Sequence, residues 1–161
     1  MSQNVSDLRI QKRRVKATLT LTTGTTVEGC FFLAGSRAGV AGPERVADLL
    51  NAEAGFFPFE CEVDGAPRTA LFNRSQVVDV RLVDDAGEAR LDPGYDVATE
   101  RRVRMVLSIG RTLEGAVRIA LPKGKDRLSD YTRGAEVFRY VETPAGTVIV
   151  NSAHIVELRE I

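Results

Sequence analysis

Leu21-Thr22-Thr23-Gly24-Thr25-Thr26-Val27-Glu28-Gly29 is echoed 86 residues later by Leu107-Ser108-Ile109-Gly110-Arg111-Thr112-Leu113-Glu114-Gly115. Leu, Gly, Thr, Glu and Gly recur at the same five places of a 19-residue window, Val15 to Leu33. Average composition would place roughly one identity there by chance. The apolar positions coincide as well: Ala17, Leu19, Val27, Phe31 and Leu33 fall on Val103, Met105, Leu113, Val117 and Ile119. Further along, an offset of 78 sets Thr69, Asn73, Val78 and Arg81 on Thr147, Asn151, Val156 and Arg159. These matches predict a duplicated unit, residues 14–83 and 101–161, with the first copy longer in its middle.

Each unit reads mainly as strand. Ala17, Leu19 and Leu21 alternate with threonines, the period-2 pattern of a half-buried strand rich in β-branched residues. Thr23-Gly24-Thr25 supplies a turn and Val27–Leu33 resumes the alternation. The period then changes: Glu44–Ala54 carries Val46, Ala47, Leu49 and Leu50 at helical spacing, with Pro43 near its start. Its counterpart, Arg127–Glu136, is interrupted by Gly134. Arg45 and Asp48, like Arg127 and Asp130, are spaced for ion pairing along a helix face. Strands return at Phe57–Val63, Arg68–Phe72 and Val77–Val83, and again at Val137–Thr143, Thr147–Val150 and Ile155–Ile161. Asn73 and Asn151 open the short turns before the last strands, where Asn favours local backbone hydrogen bonds. The predicted fold is mainly β: two tandem five-stranded small barrels, each with a short helix between its second and third strands.

A strand, a turn with Gly, two residues, Glu-Gly and another strand resembles the first motif of Sm-like proteins. Here it stands as Leu21…Gly24…Val27-Glu28-Gly29 and Leu107…Gly110…Leu113-Glu114-Gly115. Val148-Ile149-Val150-Asn151-Ser152-Ala153-His154-Ile155-Val156 is similar to the second motif, a strand, a short turn and a closing strand. The arrangement is similar to bacterial proteins with tandem Sm-like units, small barrels of the Src-homology-3 type. The resemblance implies a fold and brings no activity with it. The acidic-x-Asn-type signature of Sm-like RNA binders is missing after the third strand; helix-bearing insertions, Ala34–Gly55 and Pro122–Glu136, stand there instead.

Composition narrows the function classes. With 22 basic and 22 acidic residues, no global charge excess points to nucleic acid or an anionic membrane. No apolar run reaches the roughly 18 residues of a membrane span, and Met1–Asp7 lacks a signal peptide's apolar stretch; the cytoplasm is the expected compartment. Cys30 and Cys61 have no neighbouring Cys or His, and the chain has one histidine, His154, so no metal or other cofactor is expected. Ser36, Ser75, Ser129 and Ser152 lack a nucleophile-elbow context, and no phosphate-cradling glycine motif occurs. A non-enzyme is the expectation.

Locally, charge is uneven. Residues 1–13 form a basic N-terminal arm and 84–100 an acidic linker of solvated composition. Lys12, Arg13 and Arg14, with Lys123, Lys125 and Arg127, are the candidate polyanion-binding residues. Between Val27–Leu33 and its counterpart one asymmetry stands out. Cys30 and Phe32 form an apolar outer strip where the second copy has Ala116 and Arg118, making them a candidate interface. The expected function is a non-catalytic binding or scaffolding module that joins a protein partner or associates with itself. The alternative is RNA or nucleotide binding through the basic loops of the second unit.

Overall fold

The computed structural model describes residues 12–35, 42–84 and 87–161. In the first half the strands are β1 (Lys12–Leu21), β2 (Thr26–Ala34), β3 (Phe56–Val63), β4 (Ala66–Asn73) and β5 (Val77–Leu82). In the second they are β6 (Thr99–Leu107), β7 (Thr112–Ile119), β8 (Phe138–Thr143), β9 (Gly146–Asn151) and β10 (Ile155–Glu160). Two short helices, α1 (Val46–Asn51) and α2 (Leu128–Thr132), occupy the predicted insertions. Both are shorter than the apolar periodicity suggested. Single 3-10 turns, Arg74–Gln76 and Ser152–His154, join the last two strands of each half. The basic residues Lys12 and Arg13 belong to β1, paired with Ala34 and Leu33, rather than to a free arm. Residues 1–11 and most of the Ala34–Pro43 insertion lie outside the described residues.

All strand pairs are antiparallel, and the ladders run β10-β6-β7-β8-β9-β5-β1-β2-β3-β4. The protein is mainly β, as predicted. The ten strands nevertheless form one continuous open sheet, not two separately closed barrels. The reason lies in β5, which pairs with β1 on one side and with β9 on the other. Asp79, Val80 and Arg81 of β5 face Val150, Ile149 and Val148 of β9. Within each half the local order is the same: fifth, first, second, third, fourth strand.

In both halves the second strand meets the third over a short ladder and at close range. Among the described residues, β2 pairs with β3 at Gly29 and Cys30, and β7 pairs with β8 at Ala116. The approach needs glycine. A Cβ on Gly29 would overlap the Glu60 carbonyl oxygen and sit 2.6 Å from the Phe59 ring. On Gly115 it would lie 2.6 Å from the Glu142 carbonyl and 2.8 Å from Val141.

Two apolar clusters form the core. The first is aromatic, with Phe31 stacked on Phe57 at 5.7 Å and edge-on to Phe59 at 4.9 Å. The second is aliphatic, with Val103, Met105, Leu107 and Val117 at its centre. Each borrows from the other half: Phe138 and Ile149 complete the first, and Val78 completes the second. Two arginines close the helices' orphan carbonyls. Arg74 donates to Leu50 O at 3.1 Å, Leu49 O at 2.9 Å and Phe56 O at 2.7 Å. Arg139 does the same for Tyr131, Gly134 and Glu136.

The connection between the halves is not the solvated linker its composition suggests. It holds two 3-10 turns, Glu88–Leu91 and Tyr95–Val97, and Glu88 is buried. Glu88 Oε1 accepts from Val46 N at 2.6 Å, the N-terminus of α1, and from the Tyr140 hydroxyl at 2.7 Å. One acid inside an acidic stretch therefore staples both halves together. Burial pushes its carboxyl up from the ordinary range, while Tyr140 and the Ala47 and Val46 amides pull it back. No helix among the described residues is long and apolar enough to cross a membrane.

Candidate interaction surface

The joint between β5 and β9 is where the two halves touch most closely, and it is held by more than its short ladder. Asn151, fully buried, directs Oδ1 to its own turn, accepting from Ala153 N at 3.0 Å. Its Nδ2 crosses the joint, donating to Val77 O at 3.0 Å and Arg74 O at 3.3 Å. His154 crosses beside it: Nε2 lies 2.7 Å from Ser75 O and Nδ1 lies 2.9 Å from Ser108 Oγ. A carbonyl only accepts, so Nε2 donates to Ser75 O, while Nδ1 shares a hydrogen bond with the Ser108 hydroxyl. From α1, Asn51 clamps both backbone groups of Phe138, at 2.8 and 2.9 Å.

One charge pair is buried in the joint. Asp79 of β5 has no exposed surface, and Arg111, in the turn between β6 and β7, lies 3.0 Å from its Oδ2. Burial raises the Asp79 carboxyl above its ordinary range; the neighbouring Thr20 hydroxyl and Arg111 oppose that rise without cancelling it.

At the two ends of the sheet, β4 and β10 each pair with one strand among the described residues. Each exposes a large apolar side chain beside polar ones, which are Arg68 and Thr69 in β4 and Glu157, Arg159 and Glu160 in β10. Leu71 of β4 is 68% exposed and Val156 of β10 is 69% exposed. The residues that occupy the corresponding places in the joint, 78 residues away in sequence, are Ile149 of β9 and Val78 of β5, both at 0%. Phe56 and Val63, on β3 beside β4, are exposed as well.

The predicted site residues fall in three places. Lys12, Arg13 and Arg14 stand exposed at the start of β1, but two are engaged: Arg13 donates to Glu44 O at 3.0 Å and Arg14 pairs with Glu60 at 2.6 Å. Lys123, Lys125 and Arg127 stand exposed in the loop between β7 and α2. Three strands, β8, β9 and β5, separate β7 from β1 in the sheet, so the two basic groups sit on different parts of it. Asp126, the one acid in that loop, turns away from the lysines, accepting from Thr99 Oγ1 at 3.0 Å and lying 3.7 Å from Arg101. The Thr99 hydrogen bond holds its carboxyl below the ordinary range. Cys30 is buried, and Phe32 is half-buried beneath the Arg14 guanidinium, 5.6 Å from the ring centroid. The Cys30–Phe32 strip is thus partly roofed by the Arg14–Glu60 pair.

Asn73 and Asn151 share the predicted turn role, whereas Arg45 and Asp48 form the expected ion pair at 2.9 Å and Asp130 pairs instead with Arg133. A groove of about 400 Å³ beside the linker is floored by Arg118, which stacks on Tyr95 at 3.8 Å and bonds Glu142 at 3.0 Å. No group of three His, Cys, Asp or Glu side chains among the described residues is placed to hold a metal ion.

The chain matches no family model, no curated protein and no solved structure. The joint residues Asn151, His154, Asp79 and Arg111 were not legible as a set in the sequence, but one signal for them existed. Val77-Val78 and Val80 in β5, and Val148-Ile149-Val150 in β9, are apolar on both faces. A two-faced apolar strand is buried from both sides. Ala70-Leu71-Phe72 in β4 and Ile155-Val156 in β10 carry the same signal at the free edges.

Proposed function

We propose that this chain is a non-catalytic binding module of two tandem Sm-like units, each a small five-stranded barrel left open where its strands run on into the shared sheet, that takes up protein at its free strand edges. The duplication is supported by the identical strand order in the two halves and by the close approaches at Gly29 and Gly115. The binding role rests on one observation: β4 and β10 end the sheet with open backbone ladders and with Leu71 and Val156 turned to solvent. An open edge offers backbone donors and acceptors to an incoming strand, and the apolar side chains beside it supply contact area. Affinity isolation from the native cell, with wild type and the Leu71→Lys, Val156→Lys double variant in parallel, tests the reading. Protein partners that survive nuclease and disappear with the double variant support it; a set unchanged by the variant refutes it.

A second reading, RNA or nucleotide binding, is favoured by the exposed Lys123, Lys125 and Arg127, whose nearest acid is committed to Thr99 and Arg101. Nuclease-sensitive recovery of RNA that persists in the edge variant would place this reading first.

A further inference from the structure

We infer that the groove beside the linker is a binding site for a small organic cation with an apolar body, a protonated amine carried on a ring or short chain. The inference goes beyond the strand-edge reading and needs neither free edge. The groove, of about 400 Å³, opens where β7 and β8 separate. They pair at Ala116 and Glu142, and no further pair joins them among the described residues. Linker residues form one wall, where a Cβ on Gly94 would lie 2.8 Å from that of Ala120. α2 and the turn after it form the other, held by the three carbonyl bonds of Arg139. Such a volume lies within the range of small-molecule pockets.

The duplication supplies an internal comparison. Counting from the paired positions Cys30–Glu60 and Ala116–Glu142, Arg118, Arg139 and Tyr140 take the places of Phe32, Phe57 and Pro58. Counting from the helix caps Arg45 and Arg127, Tyr131 takes that of Leu49. The first half reaches the same strand order with apolar residues at all four places, so the fold does not call for phenols and guanidiniums there. Tyr95 joins them from the linker. Tyr95, Tyr131 and Tyr140 are all the tyrosines that the chain has, and all of them line this groove. Rings with an apolar face and a polar edge, gathered at one concavity, suit a ligand that is itself part apolar and part polar.

Charge decides the sign of that ligand. Asp92, Asp130, Glu136 and Glu142 line the groove against Arg118 and Arg139. Both guanidiniums are committed. Arg139 donates to the Tyr131, Gly134 and Glu136 carbonyls; Arg118 donates to Glu142 at 3.0 Å and to Tyr95 O at 3.4 Å. Glu142 takes the Tyr95 hydroxyl on its other oxygen at 2.9 Å, and Asp130 meets Arg127 N and Arg133. Arg45, near the Tyr140 ring, is held by Asp48 at 2.9 Å. What remains is negative. The exposed Glu136 carboxylate forms no ion pair among the described residues, and the exposed Asp92 accepts one hydrogen bond, from Gly94 N at 3.2 Å.

In the α2 wall the Tyr131 hydroxyl is buried and has no hydrogen-bond partner among the described residues. The Arg139 guanidinium, 4.6 Å from its ring centroid, is spent on carbonyls. A buried polar group left so calls for an explanation, and a hydroxyl accepts as well as donates, so an ammonium N–H supplies its partner. An anion would meet Glu136 and Asp92 with no uncommitted guanidinium to hold it. A neutral ring would gain only the apolar surface of Ala116, Ile119 and Leu121. A cation with an apolar body gains both.

The chain has no tryptophan, so its intrinsic emission comes wholly from the lining of this groove. The full chain is titrated with three probes of one shape, phenethylammonium, phenethyl alcohol and hydrocinnamate, followed by tyrosine emission and by calorimetry. The ammonium should bind saturably, roughly tenfold more tightly than the alcohol, and the carboxylate most weakly. Asp92→Asn combined with Glu136→Gln, both at exposed positions, should weaken the ammonium by roughly tenfold and leave the alcohol unchanged, which separates lost charge from lost fold. Tyr131→Phe should weaken the ammonium as well. The inference is overturned by a carboxylate that binds more tightly than the ammonium, or by no saturable response to any of the three. Ammonium binding that survives both the double variant and Tyr131→Phe overturns it too.

Discussion

Asn151 Nδ2 donates to the Val77 carbonyl at 3.0 Å, bridging two strands from opposite halves of the chain. The same carboxamide fixes its own turn through Ala153 N, so a single buried side chain sets both the corner and its mate. Asn151→Ala strands the Ala153 amide and removes the donor shared by Val77 and Arg74. Leaving buried polar groups unpaired costs about 1–3 kcal/mol. The urea midpoint should fall accordingly, in one transition, because Phe138, Ile149 and Val78 make the two cores interdependent. Two separate transitions, or an unchanged midpoint, would show that the joint does not couple the halves.

The glycines where the second strand of each half meets the third are not equally tight. Gly29 faces both a backbone carbonyl and an aromatic ring that are already in contact range of a hypothetical Cβ; Gly115 has slightly more room. Overpacking of a fixed backbone typically costs roughly 1–3 kcal/mol, sometimes more. Gly29→Ala should therefore lower the melting temperature more than Gly115→Ala, and either Val variant should lower it further. Equal tolerance of alanine at both positions would place the close approach elsewhere.

Much of this fold is local and therefore legible. Alternation in Ala17–Leu21, the Gly24 and Gly110 turns and the Asn73 and Asn151 corners all act within a few residues, and the strands appear where they were expected. The continuous sheet was not legible, because β5 and β9 lie about 70 residues apart and their two-faced apolar runs mark burial without naming the strand that each pairs with. Composition misled at Glu88. It sits among acids that face water, and only the distant Tyr140 and the start of α1 make its burial tolerable. Charge counting similarly located Lys12–Arg14 but could not foresee that Glu44 and Glu60 would engage two of them.

Asp79 gives the joint a pH dependence of definite sign. Its folded pKa is raised, so the folded state holds the proton more tightly than the unfolded chain does. This group's contribution is fully favourable below the ordinary aspartate range, near about 3.9, and declines as pH rises through the folded pKa. Glu88 is shifted the same way and adds to the slope. Asp79→Asn cannot ionise, so its advantage over wild type should grow with pH across that window and then level off. Urea denaturation at a series of pH values reads the difference directly. A wild-type slope retained in full by Asp79→Asn would mean that Arg111 neutralises the carboxylate after all.

Electrostatics also separates the two basic groups. Arg14 is held by Glu60 and stacked near Phe32, and Arg13 is tied to the Glu44 carbonyl, so neither side chain is free to meet a phosphate without breaking a contact. Lys123 and Lys125 have no such partner among the described residues, and Asp126 is drawn off by Thr99 and Arg101. Any binding of single-stranded RNA should thus run through the loop between β7 and α2. Each phosphate contact contributes about 0.7 to the slope of log affinity against log salt for a single strand. Replacing Lys123 and Lys125 by Gln should flatten that slope by roughly 1.4 on the same scale, whereas Arg14→Gln should barely change it. Fluorescence anisotropy of a labelled oligonucleotide on the full chain, at several salt concentrations, measures both. Equal losses from the two variants would mean that the Arg14–Glu60 pair opens readily, and an unaltered slope in the lysine variant would take the loop out of RNA binding altogether.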